Sequence, residues 1–123
     1  MDGPIAGWRL AAGSRAELLD PFPPRYAEVV ADHVTHGRRG VAPPLPEALS
    51  ARVGGRADDG VGVEALVVEI GASTARWDGS RYHLTWSLAP GRAAKESNDV
   101  IASRGWQPLE EPIAIELEPA DWP

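Results

Sequence analysis

The sequence contains no cysteine and no long apolar run. Without cysteine, the chain cannot form a disulfide framework, a thiol nucleophile or a thiolate zinc site. No segment approaches the roughly 18 consecutive apolar residues that a membrane-spanning helix needs. The stretch "MDGPIAGWRLAAG" also lacks the basic start and apolar run of a secretory signal. We therefore expect a cytoplasmic protein.

Basic residues are fewer than acidic ones, 12 against 18, which gives a net charge of −6. This balance argues against tight, sequence-independent tracking along a nucleic-acid backbone, which needs a basic surface. The acidic excess is concentrated from Gln107 onward, where five acidic residues stand without a basic one. The rest of the chain is nearly neutral.

The length of 123 residues fits one domain over 1–123, with residues 107–123 as an acidic C-terminal strand or tail. Proline and glycine mark its breaks. The stretch "GGRADDGVG" at Gly54–Gly62 predicts a turn-rich connector. Ser14 precedes Glu17 by three residues, a spacing that predicts a capped helix over 14–19.

Several further stretches indicate strands. "VEALVVEIG" is mostly apolar and β-branched, as a buried strand is. "ARWDGSRYHLTWSLA" predicts a hairpin around Asp78-Gly79, with its second strand from Arg81 to about Leu88. "PIAIELEP" alternates apolar and acidic residues, and "AAKESNDVIASRGW" is a helix candidate. The pattern predicts an α+β fold of mostly antiparallel sheet with few helices.

The stretch "YAEVVADHVTHG" is ambiguous. Tyr26, Val29, Val30 and Val34 follow helical spacing. The β-branched residues, and the likeness to Arg81–Leu88, favour a strand instead. Local periodicity leaves both structures open.

Two of the three histidines occur in the same triplet, His33-Val34-Thr35 and His83-Leu84-Thr85. In a strand, residues i and i+2 share a face, so each histidine would project beside its threonine. Two convergent imidazoles can cleave a phosphodiester by paired proton transfers, and threonine hydroxyls can donate to the phosphate oxygens. The triplets therefore make a catalytic site a candidate.

A histidine metal site is the rival interpretation, because His33, His36 and His83 could all be ligands. Local structure discriminates between the two. His33 and His36 share a face if their segment is helical and point to opposite faces if it is a strand.

The sequence around both triplets resembles the two-histidine (2H, LigT-like) phosphoesterase superfamily, in particular small members related to RNA-repair and tRNA-ligase cyclic phosphodiesterases. The likeness lies in "FPPRYAEVVADHVTHG" and "YHLTWSLAPGRAAKESND" and covers 21–106. It implies a compact bilobal α+β fold with a cleft between the lobes and metal-independent catalysis without a cofactor. His33 and His83 would be the general acid and base, and Thr35 and Thr85 the phosphate clamps.

Three more residues are candidates for substrate binding. Ser97 and Asn98 lie at a helix start, where free N–H groups favour an anion; the alternative is that they only cap the helix. Arg38 follows the first motif and is a candidate phosphate contact. Core or lobe packing, rather than base stacking, is expected of the aromatic residues Tyr82, Trp86, Trp8, Trp77 and Trp106.

The expected function is a phosphodiesterase acting on a 2′,3′-cyclic phosphate at an RNA end or on a nucleotide. One alternative keeps the site but takes a cyclic oligonucleotide messenger as substrate. Another is a non-catalytic nucleotide-binding or interaction module. We expect a monomer, with association with an RNA ligase or kinase left open and no membrane partner.

Overall fold

Strands dominate the computed structural model, which describes residues 4–47 and 50–123. Strand residues make up 46% of the chain, and two helices lie within the described ranges. The predicted α+β fold of mostly antiparallel sheet is confirmed. The elements in chain order are β1 (Ile5–Leu10), α1 (Ala12–Leu19), β2 (Glu28–Val29), β3 (His33–Arg38), β4 (Ala51–Asp58), β5 (Val63–Ile70), β6 (His83–Leu88), α2 (Glu96–Arg104), β7 (Gln107–Ile115) and β8 (Leu117–Trp122).

All the strands join one curled antiparallel sheet in the order β7-β4-β5-β6-β3-β1-β8, and β2 pairs with β6. The acidic C-terminal segment supplies both ends of this order, because β7 pairs with β4 and β8 pairs with β1. The strands that carry the two histidine triplets, β3 and β6, are neighbours at its centre.

Apolar clusters cover both faces of the sheet. Leu66 and Val68 of β5 belong to the larger cluster together with Leu18 of α1. Val67 and Val100 belong to the second cluster, which therefore joins β5 to α2. Neither described helix exceeds nine residues or meets the length and apolarity of a membrane span.

The ambiguous segment forms two strands, β2 and β3, rather than a helix. Val34 is fully buried, whereas Val29 is largely exposed, so the apparent helical stripe is not a core face. Ala31 lies between the two strands with φ of 44°. This irregularity shifts the pairing along β6 from Val29↔Ser87 to Val34↔Leu84.

Two local predictions need correction. The turn between β4 and β5 covers only residues 59–62 of the predicted connector at Gly54–Gly62, because residues 54–58 belong to β4, where a register shift between Val53 and Gly55 accommodates the glycines. A Cβ at Gly55 would overlap the Trp106 ring, so this strand requires a residue without a side chain. Helix α1 begins before Ser14, whose hydroxyl accepts a bond from the Glu116 N–H instead of capping the helix.

Candidate active site

The two triplets meet at one residue pair, Val34 of β3 and Leu84 of β6. Both side chains are fully buried in the larger core cluster. Because neighbouring residues in a strand alternate faces, the flanking His and Thr side chains project to the other face. Continuing the antiparallel register by one residue each way sets His33 opposite Thr85 and Thr35 opposite His83.

These four side chains line a groove of about 440 Å³. It lies between the start of α2 and the face of the β3–β6 junction that carries these four side chains. Its other lining residues are Ile5, His36, Gly37, Arg38, Val41, Arg76, Trp77, Asp78, Ala94, Lys95, Asn98 and Trp122. Of the predicted site residues, the groove gathers His33, His83, Thr35, Thr85, Arg38 and Asn98.

His83 is the more buried of the two catalytic candidates, with 9% of its surface exposed. Its Nδ1–H donates to the Arg81 carbonyl at 2.9 Å, which fixes the tautomer and leaves Nε2 as the free ring nitrogen. Burial lowers the pKa of His83 below its usual 6.5, and the positive charges of Arg76 and His33 lower it further. His83 is therefore suited to accept a proton near neutral pH.

His33 is held from two sides. Its Nδ1–H donates to the Asp32 carboxylate at 3.1 Å, and Arg9 donates to the same carboxylate oxygen at 2.9 Å. The Trp122 ring lies against the imidazole, with ring centroids 4.6 Å apart. These contacts orient the ring and leave Nε2 free of the Asp32 bond.

The two threonines differ in their surroundings. Thr85 Oγ1 lies 2.9 Å from Ser97 Oγ and 3.3 Å from the Ala94 carbonyl, a long distance for an O–H···O bond. If Ser97 donates, the Thr85 proton is held only by that long bond and can turn to a ligand. Thr35 is partly exposed on the opposite strand and lines the same groove.

Arg76 is a groove residue that the sequence did not identify. The Val34 carbonyl points toward Gly7 of β1, and carbonyls alternate sides along a strand, so the Thr35 carbonyl points toward β6. The pairing of β3 with β6 has ended at this point, after Val34↔Leu84. Arg76 Nη1 donates to this carbonyl at 3.1 Å, and Nη2 donates to Asn98 Oδ1 at 3.0 Å. The guanidinium thus links β3 to α2 and places a charge beside His83. Only its position just before the Asp78-Gly79 turn set this arginine apart in the sequence.

Ser97 does not line the groove in the described part of the chain. Its side chain is fully buried beneath Thr85, so a direct contact with a substrate, as predicted from the sequence, is at odds with its position. Asn98 does line the groove, and it receives Arg76. Both residues lie inside α2 rather than at its N-cap, which is Lys95.

The third histidine is separated from the other two. His36 Nε2–H donates to the Pro43 carbonyl at 3.0 Å, so its Nδ1 accepts from the Tyr82 hydroxyl at 2.9 Å. In β3 its side chain points away from that of His33, and it packs beside Trp8. The strand geometry therefore does not bring the three imidazoles together as a ligand set.

Most of the aromatic predictions hold. Tyr82, Trp86 and Trp8 are buried in the larger cluster, and Trp86 Nε1–H donates to the Phe22 carbonyl at 2.8 Å. Trp106 packs against the second cluster. Trp77 is the exception, because it stands at the groove with 43% of its surface exposed.

The groove is cationic although the chain is acidic. Among the described lining residues, Arg38, Arg76 and Lys95 carry positive charge, and Asp78 carries a negative charge. The Asp78 carboxylate already accepts bonds from Arg76 and from Ser80. With three positive side chains and one negative side chain among the described lining residues, the electrostatic potential of the groove favours an anionic ligand beside the two imidazoles.

Comparison of the chain with family models, curated proteins and solved structures gives no match. The chemistry of the groove follows from its own side chains. Two imidazoles with their Nδ1 atoms occupied, two hydroxyls and an arginine can bind a tetrahedral anion and move protons on either side of it.

Proposed function

We propose that the protein is a metal-independent phosphodiesterase of the two-histidine type that opens 2′,3′-cyclic phosphates on RNA ends or nucleotides. The observation that supports this most strongly is the Val34–Leu84 pairing, which places both His-x-Thr motifs on one face of one groove. The cationic lining of the groove suits a phosphate.

The chemistry needs one proton acceptor and one proton donor. His83 Nε2 takes a proton from water as the water oxygen forms a bond to phosphorus. The bond from phosphorus to one ribose oxygen breaks, and His33 Nε2–H gives its proton to that oxygen. The products are a phosphomonoester and a free ribose hydroxyl, and bulk water returns both imidazoles to their starting forms.

The assignment of base and acid rests on the surroundings of the two rings. The pKa of His83 is lowered, chiefly by burial, so this ring begins neutral near pH 7. His33 is more open, with 30% of its side chain exposed, and its Nδ1–H is bonded to the Asp32 carboxylate, which leaves Nε2 as the ring nitrogen available to the leaving oxygen. The general acid is therefore assigned to His33.

The phosphate oxygens have donors on both strands. Thr35 and Thr85 line the groove, and in the proposed reaction they donate to the non-bridging oxygens, where negative charge grows in the transition state. Arg76 adds a positive charge beside them from a guanidinium whose position is fixed by β3 and α2. Arg38 and Asn98 line the same groove and are proposed to contact the substrate.

The test is turnover of cytidine 2′,3′-cyclic phosphate in excess EDTA, with products separated by ion-exchange chromatography. The wild type is expected to form one nucleoside monophosphate. His33→Ala and His83→Ala are each expected to lower kcat/KM by about 10²- to 10⁴-fold. Arg104→Ala, an exposed change on α2 outside the groove lining, is the control and should leave turnover intact.

Two results would count against the proposal. Turnover that survives both histidine changes would remove the paired-imidazole mechanism, and binding without any product would favour the non-catalytic nucleotide module. Turnover of a cyclic oligonucleotide alone would change the substrate but keep the site. Cytoplasmic location, a monomeric state and association with an RNA ligase or kinase stay predictions from the sequence.

A further inference from the structure

Trp77 is an apolar side chain that the fold leaves open at the groove. It is 43% exposed, whereas Trp8 and Trp86 are 4% and 0% exposed. An indole has a large apolar area whose burial is favourable, so an exposed indole in a concave site is a candidate contact surface. The catalytic scheme proposed above gives Trp77 no role.

The indole is fixed in position. Trp77 Nε1–H donates to the His36 carbonyl at 2.8 Å. The ring lies over Gly37, where a Cβ would come within 2.8 Å of the Nε1 atom. Because the hydrogen bond to His36 and the contact with Gly37 already fix the ring, it loses little conformational freedom when a ligand covers its exposed side.

Trp77 is adjacent to the residues proposed above to bind the phosphate. It follows Arg76, which contacts Thr35, and it bonds the residue after Thr35. Val41 lines the groove too and is 66% exposed, which adds to its apolar lining. The groove thus combines a cationic, hydroxyl-bearing part with a flat apolar wall.

A nucleoside phosphate has the complementary composition, an anion joined through a ribose to a flat aromatic base. We propose that Trp77 is a nucleobase platform, so that the substrate is a nucleoside or RNA-terminal cyclic phosphate rather than a phosphodiester without a base. This inference rests on the proposed function. Trp122, the other tryptophan of the groove, packs on the His33 ring and is assigned to orienting it.

Stacking of this kind accepts every base, because each has a π-face, and it strengthens with ring area. We therefore expect purine substrates to bind more tightly than pyrimidine substrates, with little discrimination between adenine and guanine. No base-edge reading is needed for this preference.

The experiment compares two substrates, adenosine 2′,3′-cyclic phosphate and glycerol 1,2-cyclic phosphate, which has no base. Trp77→Ala is expected to raise KM for the nucleotide about 5- to 100-fold with kcat nearly unchanged. Trp77→Phe should restore most of the affinity. Both variants should turn over the glycerol ester at the wild-type rate. Val61→Ala removes an exposed apolar side chain outside the groove and serves as the control.

A second variant moves the ring without removing it. Gly37→Val inserts a side chain where the indole lies and should raise the nucleotide KM in the same direction as Trp77→Ala. An unchanged nucleotide KM in Trp77→Ala would overturn the platform. An equal loss on both substrates would also overturn it, because that result indicates a structural role.

Failure of the platform can be distinguished from failure of the proposed function. If the wild type turns over neither substrate, the proposed function fails, and the platform is then judged by calorimetric binding of adenosine 2′-monophosphate. Weaker binding to Trp77→Ala than to the wild type supports the platform. Equal binding, or no binding to the wild type, contradicts it.

Discussion

Val34 and Leu84 are cross-strand partners with no exposed surface, and the two histidine-threonine pairs flank them on the opposite face. One apolar contact in the core therefore sets the geometry of four polar groups in the groove. Close packing makes such a contact sensitive to small changes in volume. A site built this way derives its position from the sheet rather than from a loop.

The acid limb of kcat/KM is expected below pH 6.5, because the pKa of His83 is lowered. Burial disfavours the imidazolium, so the ring remains an effective base as the pH falls through 6.5 and loses this role only at lower pH. The measurement is kcat/KM for cytidine 2′,3′-cyclic phosphate between pH 4.5 and 8. An acid limb centred at 6.5 or above in the wild type would contradict the assignment of His83 as base.

Replacing Arg76 should change both rate and pH dependence. Arg76→Gln removes a positive charge that helps to lower the pKa of His83, so the acid limb should move to higher pH. It also removes the guanidinium bonds to the Thr35 carbonyl and to Asn98, and kcat/KM should fall about 10- to 100-fold.

Arg76→Lys provides the matched control, because it keeps the charge but not the planar fork of donors. Its acid limb should remain near the wild-type position while its rate falls. If the acid limb of Arg76→Gln stays at the wild-type pH, as that of Arg76→Lys is expected to do, the Arg76 charge has no influence on His83.

Ser97→Ala tests whether the buried Ser97 hydroxyl positions Thr85. Without Ser97 Oγ, Thr85 Oγ1 loses the 2.9 Å bond that fixes its position, and kcat/KM should fall about 5- to 10-fold. The free energy of unfolding should fall by about 1 kcal/mol, as is typical for one lost hydrogen bond. Ser103→Ala, an exposed change on the same helix, is the comparison. Full activity in Ser97→Ala would exclude this positioning role.

Glu64→Gln should reduce stability through a network distinct from the groove lining. The buried carboxylate of Glu64 accepts from Arg56 at 2.6 Å, from the Ser87 hydroxyl at 2.6 Å and from the Arg25 N–H at 3.1 Å. The change leaves the Arg56 guanidinium without a negatively charged partner, and the free energy of unfolding should fall by about 3 kcal/mol.

Urea denaturation measures this loss, and Glu69→Gln is the control. The Glu69 pair with Arg52 is more exposed, so its removal should cost no more than about 1 kcal/mol. Equal costs for the two variants would indicate that burial of Glu64 adds nothing. Folded Glu64→Gln protein should retain wild-type turnover, since Glu64 does not line the groove in the described ranges.

The sequence predicted those elements whose local pattern agrees with their tertiary surroundings. β5 is a mostly apolar strand buried on both faces, and β6 follows a tight turn at Asp78-Gly79. Helix α2 ends at Gly105, as a C-terminal glycine signals. In these segments the structure favoured by the local sequence is the one that the tertiary contacts require.

Other elements depend on partners far away in the chain. β3 lies between β1 and β6, and these pairings override the helical spacing of Val29, Val30 and Val34. β4 contains two adjacent glycines because Trp106 and Glu69 pack where side chains would be. No local pattern in either segment reveals those neighbours.

The site was predictable in part for the same reason. The i, i+2 rule gives the shared face of each histidine and threonine from the sequence alone. Arg76 and Trp77 reach the groove through bonds to the carbonyls of Thr35 and His36 on β3, and those contacts arise only when the hairpin folds onto the sheet.

The central claim is that His33 and His83 contact one ligand, and imidazole NMR tests it most directly. The chain has only three histidines. Although His36 borders the groove, its ring is buried against Tyr82, Trp8 and the Pro43 carbonyl, so its signal serves as the internal reference. During titration with adenosine 2′-monophosphate, the His33 and His83 ring signals should shift along one common saturation curve while His36 stays nearly still. Movement of a single histidine, or different affinities at the two rings, would contradict a shared site.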